Sequence, residues 1–282
     1  MMRWLVILAP LSLCLFSCNT SDSKQEAATQ AGAEGAERTE AQLIWQDEFE
    51  GNGVDTTKWT VVEGNGCPEL CGFGNNERQT YTSSPGNLSV EDGKLVITAR
   101  KDSTYTSAKL VTEGKGDWQY GYIEVRAKLP EGRGTWPAIW MLPTLEGRGM
   151  KWPDDGEIDI MEHVGYNQGW VYSTIHTDKY NHLEGTQKSD SIRIEDASEA
   201  FHTYAIDWDD KQITWLLDGE DYLTLEKGND DKSGWPFDAP FHLILNTAVG
   251  GDWGGREGID DRVWPQPFEI DYVRVYNKKP GA

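Results

Sequence analysis

The sequence predicts an all-β fold, a β-sandwich of two antiparallel sheets. Short runs of residues alternate between apolar and polar side chains, which is the period of a strand with one buried face. Turn signals such as Asp92-Gly93 and Asp218-Gly219 separate these runs, and almost no stretch has the helical period. The clearest predicted strands cover residues 95–98, 121–129, 204–208, 213–217, 222–225 and 268–276.

The N-terminal segment, residues 1–17, predicts a signal peptide. One early cation precedes an apolar run that is too short to span a bilayer as a mature helix. The run ends in Leu15-Phe16-Ser17-Cys18, which resembles the lipobox of bacterial lipoproteins, so Cys18 is the expected acylation site. Ordinary signal cleavage before Asp22 is the alternative.

The next segment, residues 18–42, is rich in Ser, Ala, Glu and Gln and predicts a flexible tether. A single domain is expected over residues 43–278. Together with the lipobox, this order predicts an exported protein that is lipid-anchored at the bacterial cell envelope. We expect a monomer that touches the membrane only through its anchor.

Charge and tryptophan content limit the partners of the domain. The chain has 26 Lys and Arg against 47 Asp and Glu, a net charge of −21, which argues against nucleic acid and anionic lipid as partners. It also contains 13 Trp, and flat aromatic rings suit the apolar faces of sugars. We therefore expect a neutral carbohydrate as the partner, bound in a Trp-rich cleft on one face of one sheet.

Cysteine usage is consistent with export. Cys14 leaves with the signal peptide and Cys18 is the expected lipid site, so Cys67 and Cys71 are the pair left in the domain. In an oxidising compartment, two cysteines at this spacing in a loop with Gly and Pro are expected to form a local disulfide. A metal site would need further ligands, which are not nearby in the sequence.

The strongest chemical signal is the run Gly-Glu-Ile-Asp-Ile-Met-Glu-His at residues 156–163. Side chains two apart in a strand share a face, so Glu157 and Asp159 point to one side and the isoleucines point to the core. Glu162 has the opposite parity, and a β-bulge at Ile160-Met161 would return it to the face of Glu157. Three carboxylates would then line one wall of a cleft.

The spacing of these carboxylates favours one type of hydrolysis. After the bulge the two glutamates behave like residues i and i+4, about 13 Å apart at ~3.3 Å per residue. Side chains leaning towards each other approach the ~5 Å carboxyl separation of a retaining mechanism. Asp159 adds like charge, which would keep one proton in the group. The alternative is the polar face of an exposed strand, but Trp136 and Trp140 share a parity in the neighbouring predicted strand and favour a cleft.

Several motifs together carry a family resemblance. They are G-E-I-D-I-M-E-H (156–163), G-T-W-P-A-I-W-M-L-P (134–143), N-N-E-R-Q-T-Y (75–81), S-T-I-H-T (173–177) and F-H-L-I-L-N-T-A-V-G-G-D-W (241–253). In this order they resemble glycoside hydrolase family 16, in particular its bacterial laminarinase-like endo-1,3-β-glucanases, over residues 44–276. The resemblance implies a β-jelly roll with a concave substrate cleft, Glu157 as nucleophile, Glu162 as acid/base, Asp159 as the residue that tunes them, and no catalytic cofactor.

The resemblance also implies binding residues. Trp136, Trp140 and His176 would contact the sugar near the cleavage point, and Asn76, Asn246 and Trp253 would lie further out in the cleft. Lys109 stands where laminarinases typically have Arg. A structural calcium ion would be held by the carbonyls of Glu48 and Gly93 and the side chain of Asp271, since a hard cation prefers oxygen ligands. The alternative for each Trp and for His176 is a place in the core.

The expected function is retaining endo-hydrolysis of 1,3-β-linked glucan, with mixed linkages left open. The same residues would serve a transglycosylase, or an enzyme acting on agarose or carrageenan. Sulfated substrates fit poorly with a net charge of −21, although basic residues such as Arg78 and Arg133 leave this alternative open. A non-catalytic glucan-binding module is the remaining alternative, and it would be expected to lack the two glutamates. His163, His182, His202 and His242 are interpreted as structural or surface residues.

Overall fold

The computed structural model describes residues 40–146 and 149–281. The predicted signal peptide, the acylation site at Cys18 and all but the end of the predicted tether lie outside these residues. Within the two described ranges, no helix is both long and apolar enough to cross a bilayer.

The described residues form 18 strands and one short 3-10 turn at Cys71–Gly74. The strands are β1 Leu43–Asp47, β2 Thr60–Val62, β3 Gln79–Tyr81, β4 Leu88–Glu91, β5 Lys94–Lys101, β6 Tyr105–Ser107, β7 Lys109–Val111, β8 Asp117–Trp118, β9 Gly121–Lys128, β10 Thr135–Pro143, β11 Glu157–His163, β12 Trp170–His176, β13 Lys188–Arg193, β14 His202–Trp208, β15 Gln212–Leu217, β16 Glu220–Glu226, β17 Phe241–Val249 and β18 Gln266–Tyr276. All six runs predicted as strands are confirmed.

The strands assemble into two sheets, as predicted. The ten-stranded sheet, called here the back sheet, has the order β16-β15-β14-β9-β18-β5-β6-β3, with β1 beside β18 and β4 beside β5. The eight-stranded sheet, called the cleft sheet, has the order β13-β12-β11-β10-β17-β7-β2, with β8 beside β17. Many neighbours in these orders are distant in sequence, so the sandwich depends on long-range pairing.

One pair departs from the predicted antiparallel arrangement. β3 runs parallel to β6, with Gln79 opposite Tyr105 and Tyr81 opposite Ser107. The tight turn after β5 makes β6 antiparallel to β5, and β3 then adds to the free edge of β6 from a distant part of the chain. Parallel neighbours need such a long connection, and turn signals in the sequence indicate only pairings between consecutive strands.

The core lies between the two sheets. All nine residues of β17 are buried: β10 and β7 lie at its sides, the back sheet covers its core face, and side chains such as Trp140 and Tyr81 pack against Asn246 on its cleft face. The largest fully buried side chains include Trp59, Trp208, Trp215, Trp235, Phe237, Phe241 and Phe268. Burial of each large apolar side chain stabilises the fold by about 1.5–3 kcal/mol. Much of the tryptophan content that suggested sugar binding therefore belongs to the core.

Candidate active site

The acidic residues of β11 share a face because the strand is bulged. Against β12, Asp159 lies opposite Thr174 whereas Glu162 lies opposite Tyr172, so the register shifts between them. Ile160 and Met161 are 1% and 0% exposed, and both side chains belong to the core. The predicted bulge is confirmed, and it leaves Glu157, Asp159 and Glu162 on the cleft side of the sheet.

The strand begins at a position that requires glycine. Gly156 has a φ of +93°, and a Cβ there would lie 2.7 Å from Cγ of Pro236. The chain can therefore turn sharply into Glu157 with the residues 236–237 packed close behind it. Immediately before the bulge, the indole Nε1 of Trp215 in β15 donates to the carbonyl of Asp159 at 2.8 Å. The core thus fixes the backbone that carries the carboxylates.

Glu157 is held by an indole and lies beside a histidine. Trp152 Nε1 donates to Oε2 of Glu157 at 3.0 Å, and Nε2 of His176 lies 3.8 Å from Oε1. Burial, and after it the charge of Asp159, raises the pKa of Glu157 to about 8. The Trp152 hydrogen bond opposes this rise because it stabilises the carboxylate.

Glu162 is held in the same way. Trp136 Nε1 donates to Oε1 of Glu162 at 2.9 Å. Burial, and then the charge of Asp159, raises the pKa of Glu162 to about 8, whereas burial alone raises the pKa of Asp159 to about 8. Three carboxyl groups with raised pKa values cannot all be charged near neutral pH, so the group retains protons. One carboxyl can then act as an acid while another is a carboxylate.

The carboxylates form part of the lining of a polar and aromatic cleft. Its lining is Phe73, Asn75, Glu77, Tyr81, Lys109, Trp136, Ala138, Trp140, Glu157, Asp159, Glu162, Asn246 and Ala248. This arrangement offers a nucleophile, a proton donor and ring faces on one surface, which is what cleavage of a glycosidic bond requires.

Comparison with known proteins agrees with this chemistry. The family model described as "Glycosyl hydrolases family 16" matches residues 75–274, more than half of the chain. The chain belongs to glycosyl hydrolase family 16. It is 49% identical over 247 residues to the "Beta-glucanase" of Rhodothermus marinus, which covers 83% of this chain and 85% of that protein.

Two solved structures show the same architecture. The laminarinase of Rhodothermus marinus has a TM-score of 0.80 and 48% identity, covering 85% of this chain and 98% of that chain. The laminarinase of Flavobacterium sp. UMI-01 has a TM-score of 0.78 and 43% identity, covering 83% of this chain and 100% of that chain. The predicted jelly roll is thereby confirmed, and this chain is a glycoside hydrolase.

The tryptophans predicted to contact sugar lie in or beside the cleft of this family 16 enzyme. Trp140 Nε1 donates to Oδ1 of Asn246 at 2.7 Å, and Nδ2 of Asn246 donates to the Tyr81 hydroxyl at 3.0 Å. Trp253 meets Trp136 edge to face, with 5.5 Å between ring centroids. Neither Trp136 nor Trp140 is buried in the core, so their ring surface is available to a ligand.

Asn76, predicted to lie further out in the cleft, is not part of the lining around the carboxylates. Its side chain is exposed, and Nδ2 donates to the carboxylate of Asp252 at 2.9 Å. Its neighbours Asn75 and Glu77 belong to that lining, together with Tyr81. Asn75 and Asn76 lie in a turn and Glu77 forms an isolated bridge with Gly250, so no strand period marks Asn75 or Glu77 in the sequence.

Glu77 is the main acidic residue that the sequence analysis missed. Gln79 Nε2 donates to its Oε2 at 2.6 Å, and burial raises the pKa of Glu77. Phe73, on the 3-10 turn just before it, has a φ of +52° that is unusual for a bulky residue. Cys67 and Cys71 form the expected disulfide at the base of this loop.

Lys109, predicted to replace an Arg, lies deep in the cleft. Its Nζ lies 4.9 Å from the ring centroid of Trp140 and 5.2 Å from that of Phe73, within the range of cation–π contacts. Loss of hydration lowers the pKa of Lys109, and the charges of Glu77 and Glu157 oppose this. The ammonium therefore faces carboxylates and ring faces rather than water.

His176 lies next to the catalytic strand, directly opposite Glu157 in the β11–β12 pairing. Its ring lies 5.9 Å from that of Trp152 and 5.1 Å from that of His182, and Trp152 lies 5.1 Å from His182. Trp152 and His182, which were not predicted at the site, thus form a ring cluster with His176 beside Glu157. Both lie in loops, where strand parity gives no signal.

The predicted calcium ligands lie on the back sheet or beside it. Asp271 is on β18, and Arg126 donates to its Oδ2. Gly93 lies in the turn between β4 and β5, and Glu48 follows β1, with its carboxylate bound by Arg274 at 2.8 and 2.9 Å. The donor set fits a hard cation because it consists of oxygen atoms, yet Arg126 already places a positive charge at Asp271.

Proposed function

We propose that this family 16 enzyme hydrolyses internal β-1,3 linkages of glucan by a retaining, two-step mechanism. The observation that carries the proposal is the bulged strand β11, which presents two glutamates, each bound by an indole N–H, in a cleft that contains Trp136 and Trp140. The similarity to a β-glucanase and to laminarinases supports 1,3-linked glucan as the substrate class.

The mechanism divides the work between the two glutamates. Glu162, protonated, gives its proton to the glycosidic oxygen while Glu157 attacks the anomeric carbon and the bond to the leaving sugar breaks. Glu162, now a carboxylate, removes a proton from water, which attacks the same carbon and releases Glu157. Two inversions retain the anomeric configuration. Asp159 disfavours a second negative charge at its neighbours and thereby helps Glu162 to keep its proton.

The aromatic and polar residues of the cleft supply binding. Trp136 and Trp140 offer ring faces to sugar, and Trp253 extends this surface because its ring packs edge to face with that of Trp136. Asn246 and Lys109 offer hydrogen-bond donors that suit sugar hydroxyls. Trp136 and Trp140 have a second role, since their indole N–H groups donate to Glu162 and Asn246, respectively.

The experiment is product analysis on soluble 1,3-β-glucan, mixed-linkage glucan and agarose, with Glu157→Ala as the control. We expect short 1,3-linked oligosaccharides that disappear in the control, and NMR should show the β-anomer as the first product. Cleavage of agarose alone would keep the mechanism and overturn the substrate. No product from any substrate would favour a glucan-binding module, and a first product in the α-configuration would overturn the retaining mechanism.

We also propose that the enzyme is exported and anchored through acylated Cys18, and that it acts as a monomer. The cation, the apolar run and the Leu-Phe-Ser-Cys end of residues 1–18 support this. The test compares membrane and soluble fractions after expression of the full chain. Cys18→Ala should move the enzyme out of the membrane fraction, and light scattering on the soluble form should give the monomer mass.

A structural calcium ion at Glu48, Gly93 and Asp271 is a further proposal, supported by the all-oxygen donor set. We expect a chelator to lower the melting temperature of the wild type and to have no effect on Asp271→Asn. An equal response of both proteins would place the chelated ion elsewhere, and no response of the wild type would overturn the proposal.

A further inference from the structure

Three potential metal ligands meet in the cleft. Glu157, Asp159 and His176 each present one ligand atom, and these atoms all lie within 4.8 Å of one another. Nε2 of His176 lies 3.4 Å from Oδ2 of Asp159 and 3.8 Å from Oε1 of Glu157. Two adjacent strands, β11 and β12, hold the three residues, so their arrangement is part of the sheet.

A second observation points to a ligand at the same place. Asp159 is only 2% exposed, and its Oδ2 accepts no hydrogen bond within the described part of the chain. Buried carboxylate oxygens normally have a partner, because a desolvated acceptor without one is costly. This oxygen is the atom that lies 3.4 Å from His176, so it is aimed into the cluster.

The two separations from His176 are close to those around a small transition-metal ion. Zinc binds His nitrogen and carboxylate oxygen at about 2.0–2.2 Å, usually with tetrahedral geometry. The edge of such a tetrahedron is about 3.4 Å, and the two separations from His176 are 3.4 and 3.8 Å. One nitrogen and two oxygens leave a fourth position for water from the cleft. Calcium would need six or more oxygen ligands, which this cluster does not offer.

We propose that Glu157, Asp159 and His176 also form a binding site for a divalent transition-metal ion such as Zn²⁺, and that the bound ion blocks hydrolysis. Oε1 of Glu157 becomes a metal ligand while Oε2 keeps its bond to Trp152, so no free oxygen remains to attack the anomeric carbon. Ion and sugar therefore exclude each other. The blocking of hydrolysis rests on the proposed function, whereas binding of the ion does not.

The first test measures binding without activity. Zinc chloride is titrated into chelator-treated, dialysed enzyme by calorimetry, and one ion per chain is expected at this site. Asp159→Asn and His176→Gln should each weaken zinc binding at least about tenfold. Changes to residues that only hydrogen-bond to a metal ligand already lower metal affinity by about 10–100-fold. Unchanged affinity in both variants would overturn the site. If circular dichroism shows that His176→Gln does not fold, Asp159→Asn decides.

Two matched controls locate the ion. Glu162→Gln removes a neighbouring carboxylate and catalysis but leaves the three ligands, so zinc affinity should stay within about threefold. His202→Gln removes a histidine that lies between Asp196 and Asp218 on the back sheet, and it should bind zinc as the wild type does. Loss of binding in His202→Gln would assign the ion to that sheet and overturn the proposal.

The second test addresses blocking. A 1,3-linked gluco-oligosaccharide is added to Glu162→Gln, which binds sugar without cleaving it, and the zinc titration is repeated. The apparent Kd for zinc should rise linearly with the sugar concentration from its value without sugar. Equal Kd values with and without bound sugar would overturn the blocking of hydrolysis and leave the metal site standing. A sugar that does not bind at all would instead count against the proposed substrate, while the first test still decides the metal site.

Discussion

Acidic side chains on the two sheets have opposite surroundings. On the back sheet, Glu269 is bound by Lys94 at 2.9 Å and by Lys128, while Arg126 binds Asp271. On the cleft sheet, Glu157 and Glu162 receive one indole N–H each. Ammonium or guanidinium groups bind the first set directly, whereas each glutamate of the second set lies beside the carboxyl group of Asp159.

The pKa values follow from this difference. Burial alone would raise the pKa of Glu269, but the hydrogen bonds of Lys128 and Lys94 outweigh it and leave the pKa below its ordinary value. In the cleft, burial raises the pKa of Glu157 and of Glu162 to about 8. The same residue type is thus a permanent anion on one sheet and a proton carrier on the other.

The largest expected effect is a loss of activity that occurs on changing a glutamate of the cleft sheet but not one of the back sheet. Glu157→Gln removes the nucleophile, and kcat on soluble 1,3-β-glucan should fall by about 10⁴-fold or more. Glu269→Gln, the same chemical change on the back sheet, should leave kcat within about twofold of wild type. Similar losses in both variants would contradict the division between a catalytic and a structural sheet.

The second-largest effect on kcat is expected from the loss of an indole hydrogen bond to a catalytic glutamate. Trp152→Phe keeps a ring but removes the N–H that binds Glu157, and a hydrogen bond to a charged group contributes about 1.5–3 kcal/mol, or roughly 10- to 150-fold. We expect a loss of that size in kcat, with a smaller change in KM. As the control, Trp208→Phe removes a buried indole bond to the Phe237 carbonyl, 3.2 Å long, and should lower only the unfolding free energy.

Acidic residues on the two sheets should also make the free energy of unfolding depend on pH in opposite directions. A raised pKa means that the folded state keeps a proton that the unfolded chain loses near 4.5, so the contribution of Glu162 falls as pH rises from about 4.5 to 8. Glu269 has a lowered pKa, so its contribution is present above about 4.5 and is lost as pH falls further.

Urea unfolding across a pH series measures both effects. Glu162→Gln should flatten the decrease of the unfolding free energy between about pH 4.5 and 8, and Glu269→Gln should flatten the decrease below about pH 4.5. Variant curves that run parallel to the wild-type curve would show that the raised and lowered pKa values do not influence folding.

The smallest effect belongs to the exposed ion pair. The side chains of Arg126 and Asp271 are 38% and 35% exposed, so solvent screens their attraction. In calcium-free buffer, Asp271→Asn should lower the unfolding free energy by about 0.2–1 kcal/mol and leave kcat unchanged. A larger loss under these conditions would mean that Asp271 has a partner other than Arg126.

The period of two residues per strand predicted much of this molecule. It placed Glu157 and Asp159 on one face, and the parity of Glu162 required the bulge that β11 contains. It gave no signal for Glu77, which lies before β3 in an isolated bridge with Gly250. It could not find Trp152, because this residue lies in a loop, where side chains do not alternate with a regular period.

Composition was a weaker guide than periodicity. The tryptophan count suggested sugar binding, yet Trp208 and Trp215 are core residues on the back sheet. Whether an indole packs inside or lines a cleft depends on which sheet its strand joins and on which face of that sheet its side chain lies, since Trp118 on the cleft sheet is also a core residue. The parallel pairing of β3 with β6 escaped prediction for the same reason, since it joins segments that no local turn connects.

The bulge at Ile160 and Met161 also determines how the gene can change in length. Loss of the Met161 codon would leave Glu-Ile-Asp-Ile-Glu, a regular strand in which alternate residues are all acidic. The core would lose one buried side chain, which would lower the free energy of unfolding by about 2–5 kcal/mol. Loss of the Ile158 codon instead would make Glu157 and Asp159 direct neighbours and turn one of them into the core. A single-codon deletion in β11 can therefore preserve the acidic face only if it removes a residue of the bulge, where the strand already carries one extra residue.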